Sequence, residues 1–288
     1  HPDGPEKILQ DFGIEPEEFK EEELLSFLYR NEKLLGRVTT GIFAPWAFYK
    51  KDFQEIGGHD PIFAPQSKED TDIFNRFQLN GVHFVQTWRG CVYHMTCRGS
   101  RFADGAKRNP DGQVFMKNRE TDEWLKQNQK ATREFIRKWG HFVKHDQYLK
   151  PIVPSKYDVG FIIKNANLQL IEVLEPWCST VYYDENEMRN FKYADYIEKE
   201  DTSFDLYEKF KPYDNEKQNG ILVEIDGNNF TQQDYESITK LSEIIDNEYN
   251  RLEQELIHHS DDPEFELGNL YITITNLKTS EKELIVCE

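Results

Sequence analysis

Three short apolar runs constrain the fold of this sequence more than any other feature. They are residues 159–163 (VGFII), 180–183 (TVYY) and 221–225 (ILVEI). Runs of four or five β-branched and aromatic residues are typical of buried strands, and helical patterns lie between and after them. Residues 149–288 are therefore predicted to form a small α/β sandwich, in which Thr231 and Asp234 begin a long helix with a pattern similar to a capping box. The order β-α-β, β-α-β with an extra edge strand favours the ferredoxin-like type.

The preceding part of the chain is also predicted to be mixed α/β. Its amphipathic patterns and turn residues predict four helices and two strands. The helices are expected at residues 16–35, 51–56, 68–80 and 121–139, and the strands at 39–49 and 82–87. The segment QYLKPIVPSK carries two prolines and is typical of a linker. The chain is accordingly predicted to divide into domains 1–148 and 149–288.

Charge and hydropathy exclude some partners. The 288 residues carry 53 acidic and 35 basic side chains, a net charge of -18, which would repel nucleic acids. No apolar run approaches the ~18–20 residues needed to span a bilayer, and the N-terminus lacks the apolar core of a signal peptide. Four cysteines without a CxxC pair are typical of free thiols. A cytoplasmic protein without a membrane span is expected.

The stretch 67–72 (SKEDTD) contains three carboxylates in four residues just before an apolar helical pattern. A purely structural interpretation is available. Ser67 would cap the helix, acidic residues would favour its first turn, and Asp72 would pair with Arg76 at the surface. This interpretation leaves the position of Asp70 to be explained.

Helical geometry places Asp70 on the same face as Phe74 and Phe77. That face is predicted to be buried, so Asp70 would lie at the rim of an apolar wall. Partial desolvation raises the pKa of a carboxyl group and makes it a better general base near neutral pH. Asp70 is therefore the candidate catalytic residue of the stretch.

The surrounding sequence resembles a known family. Residues 48–60 (FYKKDFQEIGGHD), followed by 69–73 (EDTDI) and Arg76, are similar to the acceptor half of family-2-type glycosyltransferases of GT-A fold. The resemblance covers residues 1–145, with His59 at a position that is usually aromatic. It implies that this region is the C-terminal half of a GT-A-type nucleotide-sugar transferase domain, followed by the small α/β domain.

The resemblance implies a role for several residues. Asp70 would take the proton from an acceptor hydroxyl, which then attacks the anomeric carbon of a nucleotide sugar and inverts its configuration. Glu69 would shape the acceptor pocket. Gly57 and Gly58 would allow the backbone to approach the sugar closely.

Further residues are carried over from the same family pattern. Trp46 and Asp60 would line the acceptor cleft. His94 would help to bind Mn²⁺ or Mg²⁺ on the diphosphate, where the metal offsets charge on the departing nucleotide. The implied ligands are a nucleotide-sugar donor and a hydroxyl acceptor.

The donor-binding half of such an enzyme is expected to come earlier in the chain, as a run of βαβ units that ends in an Asp-x-Asp metal motif. Nothing before residue 39 can supply it, and residues 70–72 lie at a helix start rather than after a strand. The chain is therefore interpreted as a fragment or one part of a split enzyme, inactive without a partner chain that carries the donor half. The alternative is a non-catalytic acidic α/β interaction or scaffolding protein.

Overall fold

The computed structural model shows a mixed α/β protein. It describes residues 8, 10–13, 16–32, 36–42, 44–94, 106–108, 114–116, 122–184, 193–213, 216–258 and 262–287. No helix among these residues is long and apolar enough to cross a bilayer.

The described residues group into two units, each assembled from several stretches of chain. The first takes its residues from 1–54, 81–129 and 145–152, and the second from 55–80, 130–144 and 153–288. The sequence predicts a single boundary between residues 148 and 149. In the structure, residues 55–80 and 130–144 instead group with the C-terminal part of the chain.

Most of the described α-helices have an acidic residue in the first turn. In chain order the described α-helices are α1 (Glu21–Arg30), α2 (Lys50–Glu55), α3 (Glu69–Leu79), α4 (Asp122–Trp139), α5 (Leu168–Leu174), α6 (Tyr193–Lys199), α7 (Leu206–Lys209), α8 (Gln232–Thr239) and α9 (Leu241–His258). Four short 3₁₀ turns lie at Pro16–Glu18, Pro61–Phe63, Glu175–Trp177 and Glu281–Leu284.

The strands are short in the first unit and longer in the second. They are β1 (Val38–Thr39), β2 (Gln86–Thr87), β3 (Ala106–Arg108), β4 (Val114–Met116), β5 (Val159–Lys164), β6 (Thr180–Tyr183), β7 (Phe210–Pro212), β8 (Ile221–Asp226), β9 (Glu264–Leu267) and β10 (Leu270–Ile274).

A six-stranded sheet forms the centre of the second unit, in the order β7-β6-β5-β8-β10-β9. The first four strands of this order are parallel, with Phe161 of β5 opposite Val181 of β6 and Val223 of β8. Strands β8, β10 and β9 pair in antiparallel fashion. The ferredoxin-like prediction is therefore wrong. Helical crossovers after β5 and β6 build consecutive parallel strands, which the βαββαβ arrangement does not contain.

The main core lies on one face of this sheet. Phe161, Val181, Val223 and Ile272 are fully inaccessible to solvent, and the apolar faces of α5, α8 and α9 cover them. Each such side chain contributes about 1.5–3 kcal/mol through burial. Along β8, buried and half-exposed residues alternate, which leaves one face of that strand partly open.

Most predicted helices are confirmed, whereas several predicted strands are wrong. The helix at 16–35 begins later, at Glu21, after a 3₁₀ turn. Of the expected strand at 39–49, only Thr39 lies in a described strand, β1. Residues 82–87 form a strand only at β2. The long helix after Thr231 is divided at Lys240 into α8 and α9.

The first unit contains short pairs of strands and contacts between aromatic rings. Strand β1 pairs with β2, and β3 with β4, both antiparallel. The ring of Phe12 lies between Phe27 and Tyr93, at centroid distances of 5.8 and 5.3 Å. The hydroxyl of Tyr93 accepts a hydrogen bond from the amide of Phe12 and donates one to the carbonyl of Gly13.

Candidate active site

The acidic stretch opens α3, but its N-terminus differs from the predicted cap. The helix begins at Glu69, so the N-cap position falls to Lys68 rather than Ser67. Both Ser67 and Lys68 have positive φ, of 86° and 73°. The left-handed region is costly for residues with a side chain and concentrates at functional or tightly packed positions. The chain thus enters α3 through a strained turn.

Asp70 lies half-buried at the edge of an apolar wall, as predicted. Phe74 and Phe77 on the same helix are buried. Burial raises the pKa of the Asp70 carboxyl, and the nearby His59 opposes this shift. Burial also raises the pKa of Glu69, assisted by the negative charge of Asp70. Two adjacent carboxyls therefore hold their protons more strongly than free carboxyls do.

Asp72 occupies a different environment from the predicted surface pair. Asp72 and Arg76 do form an ion pair of 2.8 Å, but both side chains are completely buried. Asp72 also accepts a hydrogen bond from the indole of Trp139 at 2.9 Å and contacts the ammonium of Lys138 at 2.7 Å. The prediction of an exposed pair was wrong because α4 packs over this face of α3, which helix periodicity alone does not reveal.

The paired glycines have backbone roles within the second unit. Gly57 and Gly58 have φ of 78° and 79°. A Cβ added at Gly57 would lie 2.4 Å from the carbonyl oxygen of Cys287, so no other residue fits there. The carbonyl of Gly58 accepts a hydrogen bond of 2.7 Å from Arg76. The predicted approach of a sugar to these glycines stays a prediction.

Asp60 has two protein partners. Its carboxylate accepts a hydrogen bond of 3.0 Å from the amide of Ile62 and one of 2.7 Å from Lys138. Although burial acts to raise the pKa of Asp60, the hydrogen bonds and the charge of Lys138 outweigh it and lower the pKa. Asp60 is therefore a charged member of a buried polar network that also contains Asp72, Arg76 and Lys138. Its predicted contact with substrate is untested.

Asp60, Asp72 and Cys287 converge in the manner of metal ligands, with their ligand atoms within 4.8 Å of one another. The ammonium of Lys138 lies among them, 2.7 Å from each carboxylate and 3.7 Å from the thiol of Cys287. A protein cation thus takes the place that a metal ion would occupy. This cluster is accordingly a structural one, and no spacing in the sequence indicates it, because its members lie far apart in the chain.

Trp46 and His94 belong to the first unit. The half-buried ring of Trp46 stacks on Phe48, with centroids 4.7 Å apart and an interplanar angle of 28°. His94 is exposed. Their predicted roles, as a cleft residue and a metal ligand, stay predictions.

A second group of polar residues lies where the central parallel strands end. Asp226 is the last residue of β8, and Asn165 directly follows the neighbouring β5. The carboxylate of Asp226 accepts hydrogen bonds from the Asn165 amide at 2.8 Å, the Asn228 backbone at 3.0 Å and the Asn229 amide at 3.0 Å. These bonds, led by that from Asn165, lower the pKa of Asp226.

Asp226 and Asn165 lie between two strands at which the order of the sheet changes direction. Successive strands β5, β6 and β7 progress to one side, and the chain then returns to add β8 on the other side of β5. In parallel α/β sheets, ligands bind outside the carboxyl ends of the strands where the strand order reverses. Asp226 and Asn165 lie at that place. The sequence does contain a buried strand that ends in Asp226-Gly227. This pattern indicates a ligand site only where the strand pairs in parallel with its neighbour, and the pairing is not visible in the sequence.

Comparison with protein-family models, with curated proteins and with solved structures found no match to this chain. Inferences about its function therefore depend on the residues and geometry described above.

Proposed function

We propose that this chain is part of a glycosyltransferase that binds the nucleotide of a nucleotide-sugar donor at the carboxyl edge of the β5–β8 sheet. In the same proposal, Asp70 is the general base that receives the proton of an acceptor hydroxyl. The observation that carries the proposal is the reversal of strand order between β5 and β8, with Asp226 at the end of β8.

The edge has the features of a phosphate and metal site. Its parallel βαβ run ends in Asp226-Gly227-Asn228, which departs from Asp-x-Asp by an asparagine at the last position. The hydrogen bonds to Asp226, led by that from Asn165, lower its pKa and so stabilise its carboxylate form. Carboxylate and amide oxygens are ligands that suit Mg²⁺ and Mn²⁺. Asp226 and Asn228 would hold such an ion, which offsets negative charge on a departing diphosphate.

On the acceptor side, burial tunes Asp70 for proton transfer. A carboxyl with a raised pKa is a stronger base once it is ionised, and a pKa nearer the working pH improves general base catalysis. Asp70 accepts the proton as the hydroxyl oxygen attacks. Glu69, with a similarly raised pKa, lines the same helix start and orients the acceptor. Inversion at the anomeric carbon follows from the family resemblance.

The order of these parts along the chain is the reverse of the order expected for the family. The acceptor-side residues 57–70 precede the parallel sheet, whereas the donor half was expected first. The donor-binding function is therefore assigned to residues 159–229, downstream of Asp70. In this proposal both sites act in one reaction on this chain, which the transfer assay below tests. The proposal therefore replaces the expected partner chain that carries a donor-binding half.

Isothermal titration calorimetry with UDP, GDP, CDP and dTDP, each with Mn²⁺, tests the donor site. One nucleotide is expected to bind, and Asp226→Ala should weaken its binding at least about tenfold, which is 1.4 kcal/mol. Asp262→Ala removes an exposed acid away from this strand end and serves as the matched control. Equal losses in both variants, or no binding by the parent chain, would contradict the proposal.

A transfer assay tests the base. With the nucleotide sugar identified by calorimetry and simple glycosides as acceptors, Asp70→Asn should lower turnover by about 10²–10⁴-fold. Its urea midpoint should stay close to that of the parent chain, because Asp70 lies at the rim rather than inside the core. Near-normal turnover would remove Asp70 from the proposal.

A non-catalytic interaction module is the second candidate. It is favoured by the outer edge of the sheet, where β9 presents the exposed acids Glu264 and Glu266. A basic partner protein would fit that edge. Chains that bind no nucleotide in the calorimetric test, yet stay folded, would support this candidate. Cytoplasmic location is part of both proposals.

A further inference from the structure

The parallel strands β8, β5, β6 and β7 end side by side, and each end carries a side chain of a different chemistry. In this order across the sheet they are Asp226 at the end of β8, Lys164 at the end of β5, Asp184 directly after β6 and Tyr213 directly after β7. Neighbouring strands lie about 4.8 Å apart, so three steps between strands give a row of about 14 Å. These four residues are called the edge row below.

The register of β5 places its neighbours on both sides at the same level. Lys164 pairs with Asp226 across β5 and β8. On the other side of β5, Ile162 pairs with Tyr182 of β6. The same register, continued by two residues, places Asp184 opposite Lys164. Asp226, Lys164 and Asp184 therefore follow one another in a straight line across three strand ends.

Tyr213 continues this line at the end of β7. Tyr183 pairs with Pro212, and the amide of Tyr213 donates a hydrogen bond of 2.7 Å to the carbonyl of Tyr183. One further residue in this register places Tyr213 opposite Asp184. The ammonium of Lys217 lies 4.2 Å from the centroid of the Tyr213 ring and donates to the Tyr213 carbonyl at 3.0 Å. The ring is thus held by a cation, while Tyr213 stays 39% exposed.

The edge row is accessible to a ligand. Asp184 is exposed, and Asp226 is half-exposed. The side chain of Lys164 is 52% exposed, and it pairs at 2.7 Å with the partly exposed Glu224. Solvent screens such a pair, so the Lys164 ammonium can exchange the Glu224 carboxylate for a phosphate at little cost in free energy.

The order of side chains along the edge row matches the order of the parts of a nucleotide. A divalent cation on Asp226 and the ammonium of Lys164 suit a diphosphate. A carboxylate such as that of Asp184 accepts a hydrogen bond from the ribose 2′-hydroxyl at the strand ends of dinucleotide-binding sheets. An aromatic ring such as that of Tyr213 stacks on a nucleobase.

The opposite direction across the sheet does not suit an anionic ligand. Beyond β8, strand β10 runs antiparallel, and the outer strand β9 presents the exposed acids Glu264 and Glu266. These carboxylates repel phosphates, whereas the ammonium of Lys164 attracts them. A nucleotide with its diphosphate at β8 and β5 is therefore directed toward β7.

We propose that the edge row binds a ribonucleoside diphosphate along its length, with the base at the β7 end. Asp226, through a divalent cation, and Lys164 bind the diphosphate. Asp184 accepts a hydrogen bond from the ribose 2′-hydroxyl, and the ring of Tyr213 stacks on the base. This inference rests on the proposed donor site, to which it adds three residues and an orientation of the nucleotide.

Calorimetry with three probes in Mg²⁺ tests each part of the row. The probes are inorganic pyrophosphate, the tightest-binding of UDP, GDP and CDP, and the 2′-deoxy form of that nucleotide. Lys164→Met should weaken the binding of all three about tenfold. Tyr213→Leu should weaken both nucleotides about tenfold and leave pyrophosphate unchanged. Asp184→Ala should weaken only the ribonucleotide, about fivefold, to the affinity of its deoxy form.

The control is Tyr207→Leu, which removes an exposed tyrosine of α7 outside the edge row and should change none of these affinities. Lys164, Asp184 and Tyr213 all reach solvent, so their variants should keep the urea midpoint of the parent chain. The inference is overturned if Tyr213→Leu weakens pyrophosphate as much as the nucleotides. It is also overturned if Asp184→Ala keeps the preference for ribose over deoxyribose.

These variants distinguish the inference from the proposed donor site. If Asp226→Ala weakens nucleotide binding but Lys164→Met and Tyr213→Leu leave it unchanged, the donor site stands and the orientation along the edge row is wrong. If the parent chain binds no nucleotide, both the donor site and the edge row are overturned.

Discussion

The buried polar network of Asp60, Asp72, Arg76 and Lys138 and the carboxyl edge of the sheet both contain acidic groups, but their negative charges are balanced in different ways. Asp72 is completely buried, and it has two full positive charges beside it, from Arg76 and Lys138. Asp226 is half-exposed, and three amide N–H groups hold its carboxylate. Asp72 is balanced by two directly paired cations, whereas Asp226 is held mainly by hydrogen bonds from amides.

This difference in charge balance separates a region that favours structural stability from one that favours ligand binding. A buried carboxylate without full compensation would be very unfavourable, so the network around Asp72 is closed to exchange with solvent. Amide donors orient the Asp226 carboxylate without cancelling its charge. The edge therefore keeps a net negative charge that can attract a cation, whereas the network contributes position and stability.

The largest expected effect comes from breaking the closed network. Arg76→Met should destabilise the protein by about 3–5 kcal/mol, because it leaves Asp72 with one cation and frees two backbone carbonyls in the interior. Urea denaturation followed by circular dichroism measures this change. Arg251→Met, which removes an exposed arginine paired with Glu248 and Glu255, should cost at most about 1 kcal/mol.

Equal destabilisation by both arginine substitutions would remove the distinction between the buried network and the surface. A loss below about 1 kcal/mol for Arg76→Met would show that the ion pair is no better than an apolar contact of similar volume.

A pH series should sharpen the comparison at the buried side. His141, 2% exposed beside the rings of Phe135 and Trp139, has its pKa lowered by burial to about 4. The unfolded chain binds this proton near pH 6.5, before the folded chain does, so stability should fall between pH 6.5 and pH 4 by at most about 3 kcal/mol.

The measurement is urea unfolding at several pH values, with His141→Gln expected to flatten the profile in this window. His145 is exposed, and His145→Gln serves as the control that should leave the slope as it is. A parent slope that His141→Gln does not change would assign the pH dependence to other groups.

The smallest change in the free energy of unfolding is expected at the carboxyl edge of the sheet. Lys164 and Glu224 form a partly exposed pair of 2.7 Å on neighbouring strands β5 and β8. Glu224→Gln should change the free energy of unfolding by about 0.2–1 kcal/mol, because solvent screens such pairs. Differential scanning calorimetry in low and high salt measures it. A loss of stability as large as that caused by Arg76→Met would mean that solvent is excluded from this edge as it is from the buried network.

Local features of the fold were predictable from the sequence. The runs VGFII, TVYY and ILVEI did predict β5, β6 and β8, and the pattern of Thr231 and Asp234 predicted the capping box of α8. The half-buried position of Asp70 followed from its spacing to Phe74 and Phe77. These properties depend on residues close together in the chain.

Long-range pairing was not predictable in the same way. Continuous apolar runs such as VGFII are typical of buried parallel strands, but a run does not identify the neighbours of its strand, so the ferredoxin-like order could not be separated from the observed one. Arg137 and Lys138 lie in the last turn of α4, yet both are buried, and Arg137 pairs with Glu134 and Glu175. Burial of such charges depends on partners 38 and 78 residues away, which no local pattern identifies.

The ammonium of Lys138 lies at the centre of the buried network. Lys138 is covalently part of α4, so the cation beside Asp60 and Asp72 cannot diffuse away. A metal ion in that place would be lost to a chelator or to low supply. The loop at 56–60 should therefore keep its shape in EDTA, even under conditions in which the sheet edge is stripped of any divalent ion.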